Sequence, residues 1–198
     1  MKTILVIGAS GLLGGEVVKL LSHNHHVIKS SYNDNAYPVD ITDINSINTL
    51  LLKTGKVDGI ICTAGMVRFV EWSKASDDDW AHGLKNKLMG QINLLRYGAR
   101  YLNDGGCMVL TTGALAQHPI AGSAIVSTVN AGVEAAVKSA ALELNDTNIR
   151  ITAVSPGWVK ETMQSMGLDS TSGTAAKDIA IKYAQQIETG ENGSIIVL

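Results

Sequence analysis

The sequence is poor in charge, in cysteine and in anything resembling a leader or a membrane span. Only 17% of its 198 residues are charged, and the net charge is -2. No field of one sign draws such a chain onto nucleic acid or an anionic bilayer. No apolar run reaches the roughly 20 residues that cross a bilayer. Neither nucleic acid nor membrane is therefore expected as a partner. Met1-Lys2-Thr3 leads straight into a strand-like run ending at Gly8, without the regions of a signal peptide. The two cysteines, Cys62 and Cys107, fall in or beside expected buried strands, as small hydrophobes of a reduced compartment. A cytoplasmic location is expected. His23-Asn24-His25-His26 has no carboxylate or cysteine beside it, so no metal site is expected. Repeats, linkers and composition shifts are absent too, which points to one domain over residues 1–198.

Hydrophobic residues make up 45% of the chain, enough for an ordered core. Short β-branched runs alternate with longer helical stretches. Strands are expected at Thr3–Ile7, His26–Ser31, Tyr37–Val39, Val57–Cys62, Cys107–Thr112, Ile149–Val154 and Ser194–Leu198. Helices are expected at Gly11–Ser22, Asp43–Lys53 (N-capped by Thr42 or Asp43), Ser76–Leu102, Gly122–Leu144 and Ala175–Ile187. Near-continuous apolar strands between helices predict an α/β protein. Its form is a single Rossmann-type, doubly wound domain with a parallel sheet of about seven strands and helices on both faces. Ser155–Thr174, rich in Gly, Ser, Thr and Met, is a candidate lid. Trp158, Met163 and Met166 within it fit either an apolar pocket or plain packing.

Gly8-Ala9-Ser10-Gly11-Leu12-Leu13-Gly14 joins the first strand to the first helix. A sharp turn there favours residues without a Cβ, and its backbone N–H groups face a pyrophosphate at the helix N-terminus. Gly8, Ser10, Gly11, Leu12 and Gly14 are the expected phosphate-binding residues. At the end of the second strand, Val27-Ile-Lys-Ser-Ser-Tyr-Asn-Asp34 offers neither a well-placed acid for a ribose diol nor an arginine for a 2′-phosphate. Ser30, Ser31 and Tyr32, with Lys29 near, suit a phosphate, so NADP is preferred over NAD.

With these residues, four further segments resemble the short-chain dehydrogenase/reductase family over nearly the whole chain. Asp40-Ile41 looks like the family's adenine-contacting pair. Cys62-Thr63-Ala64-Gly65 resembles its Asn-Asn-Ala-Gly turn behind the cofactor. Ser155-Pro156-Gly157 matches its Pro-Gly motif beside the nicotinamide, and Thr189-Gly190 resembles its C-terminal end. The resemblance implies that Asp40, Ile41, Thr63, Ala64, Gly65, Pro156 and Gly157 bind an NAD(P) cofactor and that the substrate is a small molecule. It also implies a homodimer or homotetramer through the 76–102 and 122–144 helices. The glycine spacing is that of the family's extended and atypical branches.

The departures concern the family tetrad of Asn, Ser, Tyr and Lys. Aligning Asn130-Ala131-Gly132 on Lys-Ala-Gly puts Val126 at the tyrosine, and Gly113 falls at the serine with Thr112 beside it. Aligning Lys87-Leu88-Met89-Gly90 on Asn-x-x-Gly puts Lys87 at the asparagine. Lysine and asparagine thus exchange helices. Lys87 is expected to reach the cofactor ribose, hydrogen-bonded to Asn130. Valine donates no proton, so Thr111, Thr112, His118, Ser123 and Ser127 are the substitute candidates, with His118 the one that titrates near neutrality. The expected catalytic set is Lys87, Thr112, Asn130 and His118. Three readings remain: a reductase with a displaced proton donor, hydride transfer to a flavin or quinone, and a non-catalytic NAD(P)(H) sensor.

Overall fold

The computed structural model describes Met1–Leu198. Six strands form one parallel sheet in the order β2-β1-β3-β4-β5-β6. They are β1 (Thr3–Ile7), β2 (His26–Ser30), β3 (Val57–Cys62), β4 (Leu102–Thr111), β5 (Arg150–Ser155) and β6 (Ile195–Val197). Side chains alternate across each strand. Leu5 and Ile7 enter one core with Ile47, Leu50, Leu94 and Val133. Ile4 and Val6 enter the other with Val17, Leu21, Ile179 and Tyr183. The first face is covered by α2 (Ile44–Thr54), α4 (Gly90–Gly98) and α5 (Ala124–Glu143), the second by α1 (Leu12–Leu21) and α7 (Ala176–Thr189).

The strand count is six, not seven. Tyr37–Val39 makes only an isolated bridge, Ser31 to Pro38. Pro38 has no N–H for a ladder, and the chain before it is held in a turn by Asp34 Oδ1, which accepts from Ala36 N and Tyr37 N.

The expected Ser76–Leu102 helix is divided. Ser76 and Asp79 form a reciprocal capping box at the start of α3 (Asp77–Gly83), as this sequence pattern favours. A six-residue π-helical segment, Leu84–Met89, follows, then α4. The helix ends before Leu102, which belongs to β4. π turns are rare and recur at functional sites; this one carries Lys87. Of the two candidate N-caps for α2, Asp43 is the one used, accepting from Asn45 N at 2.9 Å. The region expected as a lid contains a short helix, α6 (Lys160–Ser165), and is tied down by a Val159–Thr174 bridge.

The sheet reverses its winding between β1 and β3. The crevice beyond the carboxyl ends of strands at such a reversal is where doubly wound folds bind ligands.

Candidate active site

A cavity of about 590 Å³ opens at that crevice. Leu13, the β3–α3 loop (Thr63, Ala64, Gly65, Phe69), Lys87 and the end of β4 line it. So do Val126 and Asn130 of α5 and the stretch after β5, including Pro156, Gly157 and Trp158. Lys87, Thr112, His118, Asn130, Thr63, Ala64, Gly65, Pro156 and Gly157, all singled out in the sequence, line this one cavity.

The β1–α1 turn contributes Leu13 to the lining. Gly8 has φ +90°, and a Cβ there would lie 2.7 Å from Ala64 N. A Cβ on Gly14 would overlap Gly8 O and lie 2.7 Å from Thr63 Oγ1. Thr63 Oγ1 donates to Ile7 O at 3.2 Å and Gly8 O at 3.3 Å, tying the β3 end to the turn. A second, shallow depression holds Tyr32, Val39 and Asp40. Tyr32 is exposed, while Ser31 and Ile41 are buried. Asp40 Oδ1 accepts from Thr42 N at 2.8 Å.

The end of β4 is held from four directions. Gln91, fully buried, pairs with the Thr111 backbone twice, Nε2 to O at 2.8 Å and N to Oε1 at 2.9 Å. Thr111 Oγ1 lies 2.6 Å from Cys62 O and 2.7 Å from Tyr183 Oη. Thr112 Oγ1 donates to Glu134 Oε1 at 3.0 Å, and Ser155 Oγ donates to the same oxygen at 3.3 Å. Gln117 Nε2 donates to Glu134 Oε2. The fourth hold is Lys87, whose Nζ donates to Thr112 O at 3.0 Å.

Lys87 was expected to bond Asn130. Instead it takes the first carbonyl past β4, an acceptor the sheet ladder leaves free, while Asn130 Oδ1 has no partner at all. Asn130 is 2% exposed, and such an orphan is uncommon in a folded chain. Gly113 makes room for it: a Cβ there would lie 2.7 Å from Asn130 Nδ2. That is a steric reason for glycine at the position aligned with the family serine.

Burial pushes the Lys87 ammonium down to about 8, with Cys62 acting in the opposite direction. Cys62 itself is pushed up to about 12 by burial. The hydroxyls of Thr111 and Thr112 are spent on internal partners. Ser123 and Ser127 do not line the cavity; Ser123 Oγ donates to Ile120 O at 2.7 Å and lies 2.9 Å from Ser127 Oγ. His118 lines the cavity from an exposed position. Within the lid, Trp158 lines the cavity, Met163 is buried and Met166 is exposed.

The family profile described as Enoyl-(Acyl carrier protein) reductase matches residues 18–197. The chain belongs to the short-chain dehydrogenase/reductase family. It is 26% identical to 3-oxoacyl-(acyl-carrier-protein) reductase FabG of Rickettsia felis over 179 residues, covering 82% of this chain and 74% of that protein. The structure is similar to that of lin1944 from Listeria innocua, with a TM-score of 0.95, 32% identity and full coverage of both chains. It is also similar to a small-chain dehydrogenase in complex with NADPH, with a TM-score of 0.89, 27% identity, and 99% and 95% of the two chains covered.

A dinucleotide suits the residues present. Gly8 and Gly14 let the turn pack against β3 and against itself without side chains, and Asn130 Oδ1 is a buried acceptor without a donor, which a ribose hydroxyl would satisfy. The family motif led to Lys87 and Asn130 but not to Glu134 or Gln91. The one available signal for Glu134 was its spacing, four residues after Asn130 on the same face of α5.

Replacing Glu134 with alanine strips the acceptor from Thr112, Ser155 and Gln117. Thr112 and Ser155 are buried and Gln117 is exposed; each buried donor left unpaired costs about 1–3 kcal/mol, so urea unfolding should show a loss of about 2–6 kcal/mol. A loss under about 0.5 kcal/mol would contradict a structural role for this network.

Proposed function

We propose that the chain is a reductase that uses NAD(P)H to convert a small carbonyl compound to its alcohol, with Lys87 as proton donor. One observation carries the reading. Of the side chains lining the cavity only Lys87 and His118 are basic, and Lys87 is the one set among the cofactor-motif residues.

A bound reduced dinucleotide supplies the hydride. Asn130 Oδ1 accepts from a ribose hydroxyl. Lys87 uses one N–H on Thr112 O and has two more for the ribose and the substrate oxygen. As the C=O π bond breaks, Lys87 Nζ gives its proton to the oxygen and the carbon gains the hydride. The neutral amine then takes a proton from water. A donor with a pKa near the working pH is effective in both steps. Val126, apolar and 8% exposed, keeps water from that wall.

NADP is the preferred cofactor. Asp34, the nearest acid after β2, spends Oδ1 on holding its own turn through Ala36 N and Tyr37 N, and it stands four residues past the strand end, late for the diol of NAD. The solved relative crystallised with NADPH is in keeping with this.

Fluorescence titration with NADPH and NADH, followed by cofactor oxidation over a panel of aldehydes, ketones and quinones, tests the proposal. NADPH should bind more tightly, and aldehydes or ketones should drive oxidation. Oxidation by quinones alone would favour transfer without an enzymic acid. Tight binding with no acceptor turned over would leave a cofactor sensor.

A further inference from the structure

Two loops reach the outer half of the cavity, and each brings one large ring. Phe69 comes from the connection between β3 and α3, and Trp158 from the stretch after β5. The rings stack with centroids 6.0 Å apart and planes inclined by 17°. The chain has one phenylalanine and three tryptophans, so an open Phe–Trp pair is a sparing use of rare residues. Phe69 is 49% exposed and Trp158 36%.

Both stems are pinned. Val70 N, next to Phe69, donates to Gly122 O at 3.0 Å. Thr174 N donates to Trp158 O and Lys160 N to Thr174 O, both at 2.9 Å. The rings stand on fixed backbone with apolar surface still open to solvent. Covering that surface is favourable by about 25 cal/mol per Å².

The remaining outer wall is apolar, with Leu115, Ile120, Val126 and Val159. No Asp or Glu lines the cavity, so no carboxylate there neutralises a cationic guest. Lys87, half-buried, lines the same cavity and donates to Thr112 O. The lining thus combines an open aromatic face with polar donors, Lys87 and the Asn130 amide among them.

We infer that the stacked Phe69–Trp158 pair clamps a flat, uncharged aryl aldehyde or aryl ketone against the cavity wall, the guest's ring on the open face of the indole and its oxygen facing Lys87. A planar guest meets that face along its whole surface, whereas an alkyl chain touches it along a line. Aromatic pairing adds about 0.5–1.5 kcal/mol beyond area burial. The inference rests on the carbonyl-reductase reading for its chemistry and not for its binding.

The test compares 2-naphthaldehyde with its saturated counterpart, decahydronaphthalene-2-carbaldehyde, in the wild type and in Trp158→Leu and Phe69→Ala. Taking the ratio of the two kcat/KM values cancels their different intrinsic reactivity across variants. That ratio should fall about fivefold to tenfold in Trp158→Leu, with the saturated aldehyde changed less than about twofold. Calorimetric titration with 2-naphthamide, which is not reduced, should show a matching loss of affinity in both variants, with and without NADP+. Circular dichroism melting serves as the folding control, and Phe69→Leu replaces Phe69→Ala if the latter melts early. An unchanged ratio with unchanged 2-naphthamide affinity overturns the clamp. Clamp-dependent 2-naphthamide binding without turnover of any carbonyl supports the clamp and overturns the reductase reading instead.

Discussion

Lys87→Met should lower the turnover number for carbonyl reduction by about 10²–10⁴-fold, the range general acid catalysis contributes. The reason is an inventory of protons. Val126 has none to give, Thr111 and Thr112 donate to Cys62, Tyr183 or Glu134, Asn130 is a neutral amide, and His118 lines the cavity from an exposed position. The pH profile follows from the ammonium being the active form. Burial holds Lys87 at about 8, so reduction should be flat below that value and fall tenfold per pH unit above it. The reverse oxidation, which needs the neutral amine, should rise through the same value. Lys87→Arg separates charge from proton transfer. It keeps a cation for the ribose, so dinucleotide affinity should survive, yet a guanidinium does not release its proton, so turnover should stay low. Full turnover in Lys87→Arg would reduce Lys87 to a ribose anchor. Unchanged cofactor affinity in Lys87→Ala would remove it from the ribose.

Gly14→Ala should weaken dinucleotide binding at least about 100-fold, or about 2.7 kcal/mol. A methyl at Gly14 overlaps Gly8 O and presses on Thr63 Oγ1. Neither neighbour has freedom to retreat, because Gly8 N donates to Ser30 O at 2.9 Å and Thr63 N to Ile7 O at 2.8 Å. The turn must open, and with it the row of N–H groups that faces a pyrophosphate. Gly15 supplies the control one residue further on, where the nearest atom to an added Cβ is Ala9 O at 3.8 Å. Gly15→Ala should leave binding intact and raise stability by up to about 1 kcal/mol through helix propensity. Fluorescence titration with NADPH and thermal unfolding measure both. Equal affinities in the two variants would contradict this role for the turn.

Much of the frame was legible from one-dimensional pattern, because it rests on local rules. Alternation of apolar strands with helices reports a covered parallel sheet, and Asp77-Asp78-Asp79 after Ser76 marks a capped helix start. The Tyr37–Val39 segment misled because three β-prone residues satisfy a pattern without securing a partner, and Pro38 removes a donor. The π turn at Leu84–Met89 has no composition signal, and the bond from Lys87 to Thr112 O in place of Asn130 has none either.

What the sequence determined by itself was the alternation of strands and helices, the glycine turn after β1 and the motif residues that resemble the family's dinucleotide-binding set. These depend on neighbours within a few positions. Only the tertiary structure decided that Lys87 bonds Thr112 O, that Asn130 keeps a free buried acceptor, that Glu134 and Gln91 hold the β4 end, and that Phe69 meets Trp158. The pairs among them stand 20 to 89 positions apart. Distance, burial and the competition for hydrogen-bond partners exist for such pairs only once the sheet has brought their loops together.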